Sequence, residues 1–256
     1  MKNVVLIICL LSCIKGNVFS QSVFSLDLKK DIPLSILSIG MTVTSFLINN
    51  EPVDIPYSLS RYDVNRFDRP LMFSHKRALD LISDNFPFAM VLLPVISLMP
   101  NIRHKNTVLT YSIMYSQALL LTYGTVFTLK ASVNRFRPYV YTSGIPSGRE
   151  RDFHNSFPSG AAAFAFLGAT FLNVTFSKEF PGSRWRLPLT IGSYTLAASV
   201  AAGRVIAGAH FLSDVILGAF IGSAYGALIP LLHLNSNNKN IAVTPRGNGI
   251  TVSLRF

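Results

Sequence analysis

Three residues toward the C-terminus have types and spacing that suit nucleophilic chemistry. Arg204 is followed by His210, and Asp214 lies four residues further on. If both lie on one helix, positions i and i+4 share a face, so Asp214 can accept a proton from one ring nitrogen of His210 and leave the other as a nucleophile. A purely structural His–Asp pair is the alternative interpretation of the same spacing.

Two basic residues earlier in the chain can bind an anion. Lys130 ends an apolar segment, and Arg137, followed by Pro138, comes seven residues later. Two cations near one membrane face can bind a dianionic phosphate, and Arg offers a planar fork of donors. Alternatively, these residues are only the positively charged flank of a spanning helix.

A third cluster lies at the start of another apolar segment. Phe157-Pro158-Ser159-Gly160 precedes this segment, which places Ser159 at a helix N-terminus. The free N–H groups there and the positive end of the helix dipole bind anions, and the Ser hydroxyl adds one donor. A plain helix cap is the alternative.

Long apolar segments separate these clusters and must position them. The chain has 256 residues, of which 50% are hydrophobic and 14% charged, against about 25% charged in soluble domains. The segments are too continuous for barrel strands, and only helices or closed barrels cross lipid, so helices are predicted. The fold class is therefore all-α, a polytopic membrane bundle of about six transmembrane helices. Approximate segment bounds are Ile32–Ile48, Phe86–Met99, Thr107–Leu129, Ser159–Phe176, Leu187–Ile206 and Phe211–Leu234.

Charge and cysteine content narrow the function classes. The formal net charge is +11, which fits either membrane topology or an anionic substrate. Nucleic acid is not expected as a partner, because the basic residues lie in short loops between apolar segments. The two cysteines, Cys9 and Cys13, both lie in the first apolar stretch. The rest of the chain therefore has neither a disulfide framework nor a cysteine metal site.

The three clusters together resemble a known signature. They occur in the order Lys130-x6-Arg137-Pro138, Pro158-Ser159-Gly160 and Arg204-x5-His210-x3-Asp214. Over residues 130–214 this order resembles the tripartite signature of the type 2 phosphatidic acid phosphatase family, in its six-helix membrane form. That superfamily also includes bacterial acid phosphatases and vanadium haloperoxidases.

The resemblance implies a role for each residue. His210 would attack phosphorus and form a phosphohistidine, and Asp214 would orient His210 and stabilise its positive charge. No metal and no cofactor are implied, because side-chain cations stabilise the charge that metals stabilise elsewhere. The phosphoryl oxygens would be bound by Lys130, Arg137, Ser159, the Gly160 amide and Arg204.

The sequence departs from the family pattern at two positions. Gly203 precedes Arg204 where the family usually has Ser, and Ala161 follows Gly160 where the family has the His that protonates the leaving oxygen. General acid catalysis is worth about 10²–10⁴ in rate. Three hypotheses follow: His154 or another nearby group is the acid, the leaving group needs none, or the protein has lost catalysis and binds phosphorylated lipid.

The expected partner is a phosphorylated membrane lipid, with phosphatidic acid, phosphatidylglycerol phosphate, undecaprenyl diphosphate and lipid A as candidates. The resemblance implies a bacterial cytoplasmic (inner) membrane, with the site on its periplasmic side. Residues 1–20 are predicted to be a signal peptide or an N-terminal anchor, residues 21–234 the membrane phosphatase domain, and residues 235–256 a polar tail with a short β-hairpin.

One conflict concerns the side of the membrane on which the site lies. A cleaved leader would leave residue 21 outside, and six spans would then put the site inside. Either the first stretch is retained, or one predicted span, Phe86–Met99 or Ile32–Ile48, does not cross.

Overall fold

The computed structural model describes residues 23–48, 59–99 and 104–235, together with the backbone of 241–246 and 249–254. The predicted leader, residues 1–20, lies outside them. Eight helices are described: α1 (Leu28–Leu47), α2 (Arg77–Val91), α3 (Val95–Leu98), α4 (Lys105–Val133), α5 (Pro138–Thr142), α6 (Gly160–Glu179), α7 (Arg186–Ile206) and α8 (Leu212–Leu232). Two 3₁₀ turns, Arg61–Asp63 and Arg69–Leu71, lie between α1 and α2. Strands β1 (Ile241–Arg246) and β2 (Gly249–Leu254) pair antiparallel, with Ile241 opposite Leu254.

The long helices form a bundle, which confirms the all-α membrane fold. Within the described residues, four helical segments are long and apolar enough to cross a membrane: Arg77–Leu98, Gly160–Glu179, Arg186–Ile206 and Leu212–Leu232. The protein is therefore a multi-pass membrane protein.

The second segment begins earlier than the sequence predicts. The helix starts at Arg77 rather than at Phe86, and it ends at Val91 before Pro94 begins the short α3. The two acidic residues that hid this start, Asp80 and Asp84, lie one turn apart and both bind arginines. The two acidic side chains therefore form ion pairs inside the bundle, and they do not indicate a loop.

Helices α6 and α8 pack closely because small residues line their contact. A Cβ on Gly218 would collide with the carbonyl oxygen of Ser159, and one on Gly222 with that of Ala163. Small residues on facing sides let helices approach closely in lipid. The Ser159 amide also donates to the carbonyl oxygen of Asp214 at 2.9 Å, so the starts of the two helices are held side by side.

The described chain ends meet at one end of the bundle. The Ser25 amide donates to the His233 carbonyl oxygen, and the Asn235 amide donates to that of Val23, both at 2.9 Å. Helix α8 has 21 residues, or about 30 Å at 1.5 Å per residue. Residues 23 and 235 therefore lie at the end of the bundle opposite Asp214, where α8 begins.

Candidate active site

A cavity of about 640 Å³ opens where α4 and α7 end and where α6 and α8 begin, against the second half of α2. The predicted residues Lys130, Arg137, Gly160, Arg204 and His210 all line it. The other two, Ser159 and Asp214, are fully buried behind its wall. Three clusters that are far apart in the sequence therefore converge on one space.

The three predicted cations are held rigidly. Arg204 is 1% exposed, and its Nη1 donates to Asp80 Oδ1 at 2.7 Å. Arg137 donates from Nε to the Asp152 carbonyl oxygen and from Nη1 to that of Ala209, at 2.9 and 3.0 Å. Lys130 Nζ donates to the carbonyl oxygen of Asn155. Because these side chains are fixed in place, they can bind an anion without a large entropy cost.

His210 has one ring nitrogen bound and the other facing the cations. Its Nδ1 lies 2.7 Å from the carbonyl oxygen of Ser156, and because a carbonyl oxygen can only accept, Nδ1 carries the proton. The unprotonated Nε2 lies 3.2 Å from Arg137 Nη1. Burial lowers the pKa of His210 well below its ordinary value of 6.5, and Arg137, Arg204 and Lys130 lower it further. The ring is therefore neutral, as a nucleophile must be.

Asp214 is placed differently from the sequence prediction. His210 lies before α8 rather than on it, and its Nδ1 is 3.6 Å from Asp214 Oδ2, within ion-pair range but beyond a hydrogen bond. The carboxylate instead accepts the Phe211 amide at 2.8 Å and the Ser156 hydroxyl. The sequence spacing assumed a continuous helix, whereas Asp214 caps the first turn of α8, where a carboxylate is stabilised.

Arg135 ties Asp214 to a distant loop. Its Nη1 donates to Asp214 Oδ1 at 2.6 Å, and its Nη2 donates to Asp68 Oδ2 at 2.7 Å. Asp68 also accepts from the Ser213 amide and hydroxyl. Although burial opposes ionisation, these donors hold the pKa of Asp68 below its ordinary value. The loop before α2 is thereby fixed against the first turn of α8.

Ser159 is the N-cap of α6, as the sequence predicts, and its Oγ accepts from the Ala162 amide at 3.4 Å. Gly160, the first residue of α6, faces the cavity beside Ala161. The positive end of the helix dipole therefore points toward the cations.

Four charged residues at the site were not singled out from the sequence: Asp80, Asp84, Arg149 and Asp152. Arg149 Nη2 donates to Asp80 at 2.7 Å and to Asp84 at 3.1 Å, and its Nη1 donates to Asp152 at 3.2 Å. Burial opposes the charge of Arg149, but these three carboxylates outweigh it and raise its pKa. The one sequence signal was the i, i+4 spacing of Asp80 and Asp84 before an apolar run.

His154, the suggested substitute acid, does not line the cavity. Its ring is buried edge-on against Phe153, and neither ring nitrogen has a hydrogen-bond partner within the described residues. Burial lowers the pKa of His154. Its position therefore does not support a proton transfer into the cavity.

The cavity has an apolar half beyond the cations. Its walls come from the end of α1, the middle of α2 and α4, and the first turns of α6. The apolar and aromatic side chains there are Ile48, Pro87, Phe88, Val91, Leu119, Tyr123, Phe127 and Phe164. One continuous space thus joins a cationic end to an apolar slot between helices.

Within the described residues, no group of three or more His, Cys, Asp or Glu side chains is placed to hold a metal ion. The absence of a metal and of a cofactor stays a prediction.

Known proteins share this part of the chain. A PA-phosphatase related-family protein of Dictyostelium discoideum is 30% identical over 130 residues, which cover 47% of each chain. Lipid phosphate phosphatase 1 of Arabidopsis thaliana is 30% identical over 132 residues, covering 43% of this chain and 40% of the relative.

Lipid A 1-phosphatase of Porphyromonas gingivalis is 34% identical over 74 residues, 29% of this chain and 15% of the relative. The chain thus spans less than half the length of each of these relatives. No solved structure matches. Residues 110–238, half of the chain, match the PAP2 superfamily. The protein is therefore a member of the PAP2 superfamily, as the three motifs predict.

Proposed function

We propose that the protein is a membrane phosphatase that hydrolyses a lipid-linked phosphate monoester or diphosphate through a phosphohistidine at His210. The observation that carries the proposal is the neutral ring of His210, whose unprotonated Nε2 faces Arg137 inside a cavity with further cations. Phosphoryl transfer without a metal ion requires a nucleophile placed among fixed positive charges, which stabilise the charge of the transition state.

In the proposed reaction, Lys130, Arg137 and Arg204 bind the phosphoryl oxygens, and the Gly160 amide adds a donor at the start of α6. The carboxylates that now bind the arginines give way to the phosphate. His210 Nε2 then attacks phosphorus, the P–N bond forms, and the P–O bond to the leaving group breaks. The imidazolium is stabilised by Asp214, 3.6 Å from Nδ1. Water then cleaves the P–N bond and releases phosphate.

The apolar slot supports a lipid substrate. A headgroup phosphate at the cationic end would leave its chains between Phe88, Tyr123 and Phe164, which line the same cavity. The names of the relatives, lipid A 1-phosphatase and lipid phosphate phosphatase 1, support the same class. Phosphatidic acid, phosphatidylglycerol phosphate, undecaprenyl diphosphate and lipid A are the substrates to test.

The proposed location is a bacterial cytoplasmic membrane with the site on the periplasmic side. Because residues 23 and 235 lie at the opposite end of the bundle, this orientation puts both in the cytoplasm. A reporter that is active only in the cytoplasm, fused after residue 235, tests it. An inactive reporter at this position would reverse the orientation.

Ala161 favours a second candidate function, a catalytically impaired member that binds phosphorylated lipid. The residue lines the cavity, and its methyl group cannot transfer a proton. The preserved His210 supports the enzyme over this alternative, because a binder needs no neutral nucleophile.

Phosphate release from the four lipids by the detergent-purified protein separates the two functions. The His210→Ala variant is expected to lose at least about 10³-fold in turnover, as removal of a nucleophile does. His104→Ala is the matched control, because His104 is exposed at the far end of α4 and its loss is expected to leave turnover unchanged.

Brief reaction with labelled substrate and an acid quench is expected to trap an acid-labile phosphoprotein in the wild type and none in His210→Ala. Lipid binding without release by the wild type would establish the impaired member. Full release by His210→Ala would remove His210 as the nucleophile.

A further inference from the structure

We propose that Asp84 is the proton donor to the leaving oxygen, replacing the group that Ala161 cannot supply. The proposal rests on the proposed phosphatase function. The catalytic acid would then lie on α2, outside the three motifs and at a position that the family's sequence pattern does not include.

Asp84 lies at the boundary between the two halves of the cavity. Asp84 and Ala161 line the same space as His210. One turn further along α2, Pro87 and Phe88 begin the apolar wall. The leaving oxygen of a phospholipid is the atom that joins the phosphate to the apolar part, so it must lie at this boundary.

The other acidic residue of the cavity, Asp152, lies on the nucleophile's side. Arg137 contacts both Asp152 Oδ2, at 2.9 Å from Nη2, and His210 Nε2, at 3.2 Å from Nη1. In-line displacement requires the leaving oxygen to be opposite the attacking atom. Asp84 pairs with Arg204 at 3.2 Å and shares Arg149 with Asp152, at 3.1 and 3.2 Å. Among the described residues, Asp84 forms no ion pair with Arg137.

Substrate binding gives Asp84 its proton. Arg149 and Arg204 pair with the Asp84 carboxylate, and Asp80 binds the same two arginines from one turn earlier. A bound dianionic phosphate takes these arginines and places negative charge beside Asp84. Like charges at close range favour the neutral carboxyl, which can then donate. The Asp84 side chain is 41% exposed, so a proton can reach it from water.

The proposed step is balanced in protons. As the P–O bond breaks, the Asp84 carboxyl gives its proton to the leaving oxygen, which departs as an alcohol, and Asp84 becomes a carboxylate. In the second half, this carboxylate accepts a proton from the water that attacks the phosphohistidine. The acid is thereby restored, and phosphate leaves.

The dependence of the rate on the leaving group tests the proposal. An acid matters for an alkoxide but little for p-nitrophenolate, which is stable without a proton. Asp84→Asn is therefore expected to lower kcat by about 10²-fold or more for a short-chain phosphatidic acid, and by far less for p-nitrophenyl phosphate. The ratio of the two rates is measured within one protein, so a smaller folded fraction does not change it.

Asp152→Asn is the matched control, because it changes an acidic residue of the same cavity that is also bound to arginines. It is expected to raise KM for both substrates and to leave their rate ratio unchanged. Adding Ala161→His to Asp84→Asn is expected to bring the ratio back toward the wild-type value, because a proton donor returns at the family's position.

Two outcomes overturn the assignment while the phosphatase stands: an equal loss on both substrates in Asp84→Asn, or an equally changed ratio in Asp152→Asn. Failure of the phosphatase function is distinguishable, because the wild type would then release no phosphate from either substrate.

Discussion

His210 and His233 lie at opposite ends of α8, and each is buried beside an aspartate. His233 Nδ1 donates to the Ile229 carbonyl oxygen at 2.8 Å, and its Nε2 contacts Asp31 Oδ1. Asp31 also accepts from the Asp27 amide and from Gln117. Three groups thus surround one carboxylate, and both ring nitrogens of His233 contact oxygen atoms that can accept a hydrogen bond.

At His210 the arrangement is reversed. Only Nδ1 carries a proton, the aspartate is 3.6 Å away, and Nε2 lies 3.2 Å from Arg137 Nη1 at the wall of the cavity. A His–Asp pair in the sequence or in space therefore does not identify a catalytic site. The two histidines differ at the second nitrogen: in His233 both nitrogens contact oxygen acceptors across the bundle, whereas Nε2 of His210 is unprotonated and contacts Arg137.

The largest expected effect tests the structural half of this comparison. His233→Ala leaves the Asp31 charge buried without its partner, and the free energy of unfolding is expected to fall by about 3–5 kcal/mol. Turnover per folded molecule is expected to stay unchanged. Thermal unfolding in detergent, alongside phosphate release, measures both. Lost turnover in a fully folded variant would show that the two ends are not independent.

The second test concerns how Asp214 is held. Arg135→Gln removes the fork between Asp214 and Asp68, so the first turn of α8 and the His210 loop before it can shift. Misplacement of about 1 Å can cost 10²-fold in rate, so kcat is expected to fall by up to about that factor, with a smaller change in KM. Steady-state kinetics measure this, and partial recovery is expected for Arg135→Lys. A raised KM with an unchanged kcat would instead mean that Arg135 binds substrate directly.

The smallest expected effect is in the pH dependence. Because the pKa of His210 is lowered, the ring stays neutral as pH falls through 6.5, and the acid limb of kcat/KM for the wild type is expected below that pH. Lys130→Gln removes one cation and is expected to move the limb upward, though only in part, because burial is the largest cause of the shift. The ionisation of the substrate is common to both proteins and cancels in the comparison. If the acid limb of kcat/KM is unchanged in Lys130→Gln, the ionisation of His210 does not determine the pH profile.

The lowered pKa of His210 also makes the free energy of unfolding depend on pH. Between pH 6.5 and the lower pKa of the folded state, the unfolded chain binds a proton at His210 that the folded protein does not. The contribution of His210 therefore makes unfolding easier as pH falls through this range.

Local patterns were enough to predict most of the bundle and five of the cavity-lining residues. Apolar length located the helices, and the types and spacing of Lys130, Arg137, Arg204 and His210 predicted four side chains that line one cavity. The prediction from the sequence pattern was wrong where charged residues of a helix make long-range contacts. Asp80 and Asp84 made the start of α2 look like a loop, although Asp80 pairs with Arg204, 124 residues away.

The amino-acid sequence by itself determined which side chains are available for chemistry: one histidine in the third motif, three basic residues in family order, a helix N-terminus and alanine rather than histidine at position 161. The tertiary structure alone decided which groups face each other. It made the Ser156 carbonyl rather than Asp214 the direct partner of His210, left His154 outside the cavity and brought Asp84 into it. The physical reason is that spacing along one helix constrains only neighbours within a turn or two, whereas these contacts depend on how separate helices pack.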